Sequence, residues 1–102
     1  MVGRERIVCL IPARIGSTRF PRKPLAEIHG KPMIVWVMER AVSVFGRENT
    51  FCVTDSSEIL ETLSSFGYES ILEAGEHRTG TDRVAAAAQK FSGVDRFFNI
   101  QG

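Results

Sequence analysis

Ile7-Val8-Cys9-Leu10-Ile11, followed at once by Pro12-Ala13-Arg14-Ile15-Gly16-Ser17-Thr18-Arg19-Phe20-Pro21-Arg22-Lys23-Pro24-Leu25, decides the fold. The first five residues are an unbroken apolar run rich in β-branched side chains. Such runs suit strands buried on both faces, as in a parallel sheet. Pro12 ends the run. The segment after it carries four cations, two hydroxyls, a glycine and no acid. Guanidinium forks, an ammonium, hydroxyls and free backbone N–H groups are what phosphate oxygens bind. It is not a Walker A loop, because no Gly-Lys-Ser/Thr closes it. Nor is it a dinucleotide fingerprint, because Gly16 stands alone. An ordinary polar loop is the competing reading.

Outward from that stretch the pattern repeats. Gly16, Pro21, Pro24, Gly30 and Pro32 punctuate a long connection over residues 13–31. Pro32 suits the first turn of a helix running to Phe45, and Met33, Trp36, Val37, Ala41 and Val44 recur at helical spacing as its buried face. Gly46 stops it. Phe51-Cys52-Val53-Thr54 is a second strand. Asp55-Ser56-Ser57 opens a second helix, with Ser57 as cap, and Ile59, Leu63 and Phe66 form its apolar stripe before Gly67. Tyr68 to Leu72 is a third strand. Thr81 or Asp82 caps a third helix with Val84, Ala87, Ala88 and Phe91 on one face. Arg96 to Ile100 is a fourth strand. The order β-α-β-α-β-α-β predicts an α/β domain: a mainly parallel sheet with helices on both faces.

Composition excludes other classes. The 102 residues are 43% hydrophobic and carry a net charge of +1, which does not suit disorder. No apolar run approaches the ~20 residues of a membrane span, and the N-terminus lacks a secretory apolar core. Two cysteines do not make a disulfide scaffold, and Cys9 and Cys52 have no neighbour at metal-binding spacing. The charge is uneven. Residues 1–31 hold seven cations and two acids, whereas the rest hold six and ten. Positive charge gathered in one loop points to a small anionic ligand more than to nucleic acid.

Ligands of open parallel sheets bind at the carboxyl ends of the strands. Three segments fall there: the cationic loop, His77-Arg78-Thr79-Gly80-Thr81-Asp82-Arg83, and Gln101-Gly102. In isolation the second reads as a helix cap more than as a site. Two residues are too few to assign the third.

In order along the chain, Ile11-Pro12-Ala13-Arg14, Gly16-Ser17-Thr18-Arg19, Pro21-Arg22-Lys23-Pro24-Leu25, Gly30-Lys31-Pro32-Met33-Ile34, Thr54-Asp55, His77 to Arg83 and Asn99-Ile100-Gln101-Gly102 resemble the motifs of the 3-deoxy-manno-octulosonate cytidylyltransferases, the CMP-KDO synthetases. The resemblance implies a three-layer, Rossmann-like nucleotide-diphospho-sugar transferase fold. It implies transfer of CMP from CTP to the sugar acid KDO with release of pyrophosphate, for lipopolysaccharide synthesis in the bacterial cytoplasm, with Mg²⁺ and a homodimeric enzyme. Carried over by position, Arg14 and Lys23 are the catalytic cations on the triphosphate. Pro12, Ala13, Ser17, Thr18 and Arg19 complete the nucleotide loop. Arg78, Thr79, Gly80, Thr81, Arg83 and Gln101 line the cytidine and sugar side. The family's metal carboxylates lie past residue 102. The expectation is therefore that residues 1–102 form the N-terminal CTP-binding part of a longer cytidylyltransferase domain and turn over little CTP alone. A cytidylyltransferase for a related sugar acid, or a non-catalytic nucleotide-binding module, are the alternatives.

Overall fold

A computed structural model describes residues 6–14, 23–73 and 80–100. Its elements are β1 (Ile7–Ala13), β2 (Glu27–Ile28), β3 (Lys31–Pro32), α1 (Met33–Phe45), β4 (Thr50–Thr54), α2 (Ser57–Ser65), β5 (Glu69–Leu72), α3 (Gly80–Ala88) and β6 (Arg96–Asn99). Four of the strands form one parallel sheet in the order β5-β4-β1-β6. Each predicted strand and helix is present, so the α/β expectation holds.

Strand alternation sorts the side chains onto two faces. Cys9, Ile11 and Ala13 of β1 and Cys52 of β4 face α1 and α2, where they pack with Ile34, Val35, Met38, Ala41, Ile59 and Leu63. Val8 and Leu10, with Val53, face α3 and meet Val84 and Ala87. β1 is thus buried on both sides, as its unbroken apolar run requires. β6 is the opposite case. Its four residues are exposed, including Phe97 and Phe98.

Four local expectations are corrected. The connection over 13–31 contains a tight β2–β3 hairpin, whose two turn residues, His29 (φ 51°) and Gly30 (φ 83°), both have positive φ. That pairing matches strand twist in a two-residue turn. Pro32 ends this hairpin as the N-cap of α1 instead of lying inside the helix. The buried face of α1 is Ile34, Val35, Met38 and Ala41, whereas Val44 is 74% exposed and Trp36 lies at the surface. There its indole Nε1 donates to Ile28 O (2.8 Å), and Lys31 sits over its ring. The helix is apolar on more than one side, and the hairpin takes the second side. Lastly, the cap of α2 is Ser56, not Ser57: Ser56 Oγ accepts from Ile59 N.

Candidate active site

The strand order changes direction at β1. From β1 the chain moves outward to β4 and β5 on one side, then returns past β1 to β6 on the other. α1 and α2 cover one face and α3 the other. A crevice opens at the carboxyl ends of strands where direction reverses, and that is where such sheets bind ligands.

Residues on this edge come from four strands. β1 delivers Pro12 and Ala13, both buried, and then Arg14, which is exposed. Ile100 follows β6 and donates its N–H to Leu10 O of β1, so β6 ends level with Leu10 and β1 runs on past it through Ala13. Next along, Thr54 closes β4 in full burial, and its Oγ1 accepts from Ser56 N at 3.1 Å. With the Ser56 cap, this turns the chain sharply from β4 into α2. Glu73 N donates to Thr54 O (2.7 Å), extending the β4–β5 ladder by one step past β5.

By alternation, Asp55 and Glu73 fall on the α3 side of the sheet, as do Val53 and Ile71 before them. The α3 side answers with two cations seven residues apart, one within the helix and one in the turn after it. Arg83, 4% exposed, donates through Nη1 to Glu73 O, and its Nη2 stands 4.0 Å from the Asp55 carboxylate. Lys90, in the turn after α3, holds Glu73 Oε2 at 2.9 Å. The sequence marked Arg83 as a cleft residue by motif, but it gave no sign of Lys90 or of an inward-turned Arg83.

Of the remaining sequence-predicted residues, Lys23 opens a short 3₁₀ turn, Lys23–Leu25, while Gly80 and Thr81 begin α3. Ser17, Thr18, Arg19, Arg78, Thr79 and Gln101 lie outside the described residues. The structure thus brings Pro12, Ala13, Arg14, Arg83 and the start of α3 to the carboxyl edge of one sheet.

Nucleophilic chemistry through sulfur is closed off. Cys9 and Cys52 are fully buried, and burial pushes their thiols up to about 11 and about 12. Among the described residues, no three His, Cys, Asp or Glu side chains gather as metal ligands. The two acids on the strand ends, Asp55 and Glu73, are instead set against Arg83 and Lys90. Among the described residues, no helix is long and apolar enough to cross a membrane. Two open grooves lie away from the edge. One is lined by Arg47, Glu48, Phe51, Gly67 and Glu69, at the amino ends of β4 and β5; the other lies between α1 and the hairpin.

Comparison with known proteins adds a family and a fold. A family model described as cytidylyltransferase matches residues 8–102. A 3-deoxy-manno-octulosonate cytidylyltransferase from Brucella ovis is 47% identical over 106 aligned residues, covering 100% of this chain and 41% of that protein. One from Thermodesulfovibrio yellowstonii is also 47% identical, over 92% of this chain and 36% of the relative. The chain therefore spans about two-fifths of the length of the relatives it matches. Among solved structures, a CMP:2-keto-3-deoxy-manno-octonic acid synthetase complexed with CTP superposes with a TM-score of 0.88 at 39% identity, covering 95% of this chain and 40% of that one. A cytidylyltransferase from Leptospira borgpetersenii, 22% identical with a TM-score of 0.76 over 96% of this chain and 42% of its own, shares the fold.

Proposed function

Because the chain belongs to the cytidylyltransferase family, we propose that it forms the N-terminal, CTP-binding part of an enzyme that transfers CMP from CTP to KDO, giving CMP-KDO and pyrophosphate for lipopolysaccharide synthesis. The observation that carries this reading is the delivery of Arg14 by the central strand to the carboxyl edge of the sheet, past the end of β6. The match to relatives named for this reaction supports the substrate.

In this reading the anomeric hydroxyl of the sugar acid attacks the α-phosphorus of CTP in line. A new P–O bond forms as the bond to the bridging oxygen breaks, and the electron pair leaves with pyrophosphate. Arg14 and Lys23 bind the triphosphate and take up the charge that develops on the leaving group. Pro12, Ala13, Ser17, Thr18 and Arg19 shape the loop around the nucleotide. Arg78, Thr79, Gly80, Thr81, Arg83 and Gln101 line the cytidine and sugar side. Fixed positive charge and alignment supply the rate. No covalent enzyme intermediate is needed, in keeping with two thiols held buried and protonated.

Mg²⁺, when bound, neutralises phosphate charge. The described residues do not fit a magnesium site, since Asp55 and Glu73 face cations. We assign its ligands to residues beyond 102, and no step here runs through it. The working enzyme in this reading is a cytoplasmic homodimer.

The test is pyrophosphate release by the full-length protein given CTP, Mg²⁺ and KDO, with other sugar acids in parallel. KDO should be turned over fastest, and Arg14→Ala should lower kcat/KM by about 10²–10³. Equal or faster turnover of another sugar acid would overturn the substrate. An Arg14→Ala enzyme at wild-type rate would overturn the site.

A further inference from the structure

Trp36 is the chain's one tryptophan, and it lies at the surface of α1, 37% exposed. The core does not call for it there, since α1 buries another side, Ile34, Val35, Met38 and Ala41, against β1. What Trp36 holds is the β2–β3 hairpin. Its indole Nε1 donates to Ile28 O at 2.8 Å. Lys31 Nζ stands 3.9 Å from the centroid of its ring and also reaches the Glu39 carboxylate, one turn further along α1. The hairpin needs such a hold. Each of its strands has two residues, both residues of β2 are exposed, and an open groove lined by Ile28, His29, Trp36, Val37 and Arg40 lies between it and α1. A two-stranded ribbon of that length has little stability of its own.

The hairpin continues the short turn Lys23–Leu25. Pro24 is buried, and Leu25 packs against the cluster that holds Ile11 and Ala13 of β1 with Ile34 and Val35 of α1. Ala26 O then accepts from Met33 N (2.8 Å), which ties the base of the hairpin to the start of α1. The path from residue 23 to residue 36 is described throughout, and it returns the chain to the same cluster that β1 passes through on its way to Arg14. We propose that Trp36 is a positioning residue for the triphosphate: it clamps the hairpin onto α1 and so fixes the backbone that presents Lys23 to CTP, without touching the nucleotide itself. The inference rests on the reading above, in which Lys23 binds the triphosphate. With the clamp in place the turn is ordered before CTP arrives. Without it, ordering happens on binding and its cost falls on affinity.

Positioning and plain destabilisation separate in the kinetics. In the full-length enzyme assayed with CTP, KDO and Mg²⁺, Trp36→Ala should raise the KM for CTP about three- to tenfold, the scale of ordering one long side chain on binding, and leave the KM for KDO within about twofold of wild type. Trp36→Phe keeps a ring beneath Lys31 but loses the bond to Ile28 O, and should fall between. Trp36→Ala combined with Lys23→Met should show a KM for CTP no more than about twofold above that of Lys23→Met alone, because the two residues act as one unit. Val44→Ser, at a 74% exposed position of α1 outside the clamp, should match wild type. A merely structural role for Trp36 would lower kcat through loss of folded enzyme with both KM values unchanged, and that result would overturn the proposal. So would effects of Trp36→Ala and Lys23→Met that multiply in the double variant.

If Trp36→Ala does not fold by circular dichroism, Trp36→Phe decides the matter, since it removes one hydrogen bond at the surface and keeps an aromatic ring in place. The expected result is a KM for CTP raised about twofold or more, as the loss of one tie of several; an unaltered KM would overturn the inference. A wild-type enzyme that forms no CMP-KDO would bring down the functional reading and this inference with it. An active wild type whose Trp36 variants keep the wild-type KM for CTP would remove this inference alone.

Discussion

Cys9 and Cys52 give the core a measurable alkaline weakness. They sit on adjacent strands, Cys52 level with Ile11 and Cys9 level with Thr50, under the cover of α1 and α2. Burial raises both thiols from 9.0, to about 11 and about 12. Below pH 9 the folded and unfolded chains both keep these protons, and stability does not depend on them. Above pH 9 the unfolded chain loses them while the folded chain retains them, so rising pH draws the equilibrium toward unfolding until the native thiols also ionise. Each thiol costs up to ~1.4 kcal/mol per pH unit in that window. Between pH 8 and pH 10.5 the pair should remove roughly 4 kcal/mol, a large part of the ~5–15 kcal/mol stability of a typical domain. The assay is urea denaturation at the two pH values for the protein and for Cys9→Ala/Cys52→Ala. Tyrosine and lysine titrations are common to both and cancel in the difference. The alanine variant should start less stable and lose less, so that the gap narrows by roughly 4 kcal/mol. A gap that stays constant with pH would show that the core accommodates thiolates, and would refute the reasoning.

Two smaller perturbations follow from the backbone ends of α2. Ser56→Ala removes the oxygen that accepts from Ile59 N and should cost ~1 kcal/mol in urea denaturation. Ser56→Asp should retain the cap, and an equal loss for both variants would count against the assignment. Gly67 (φ +86°) ends α2, with its N–H on Ser64 O and the Tyr68 N–H on Leu63 O. Gly67→Ala should cost ~1–2 kcal/mol for the left-handed backbone. Its Cβ would lie 2.5 Å from Arg47 Nη1, a flexible end that can move aside, and a stabilised variant would contradict this account.

Ile7–Ile11 was readable because a strand at the centre of a parallel sheet must be apolar on both faces, and that leaves an unbroken run in the sequence. Gly46 and Gly67 were readable as helix ends for a similar reason: each sits at a positive φ that other residues avoid. The face of α1 was not. Met33, Trp36, Val37 and Val44 satisfy helical spacing as well as Ile34, Val35 and Met38 do, and only the β2–β3 hairpin, a partner absent from any local pattern, decides which side Trp36 takes. At the edge of the sheet, the charge pattern singled out the loop that Arg14 opens, because cations crowd it, without giving that residue a role. Arg83 was legible as a motif residue and illegible as to direction. Whether a guanidinium points outward or inward depends on acceptors at Asp55 and Glu73, which are distant in sequence and meet it only once β4, β5 and α3 are in place.

The place of β1 at the centre of the sheet has a consequence in time. β1 precedes both of its partners in the chain, and its pairing with β4 spans some forty residues, from Cys9 to Thr50. Its other partner is β6, and the bond from Arg6 N to Asp95 Oδ2 crosses 89 residues. Closing so long a loop is entropically slow and repaid only when the strand docks. The half-sheet of β1, β4 and β5, with α1 and α2 on its first face, can therefore assemble while the α3 face still waits. Val8, Leu10 and Val53 remain uncovered through that interval. The face that waits longer for its cover is thus the one that will carry Arg83.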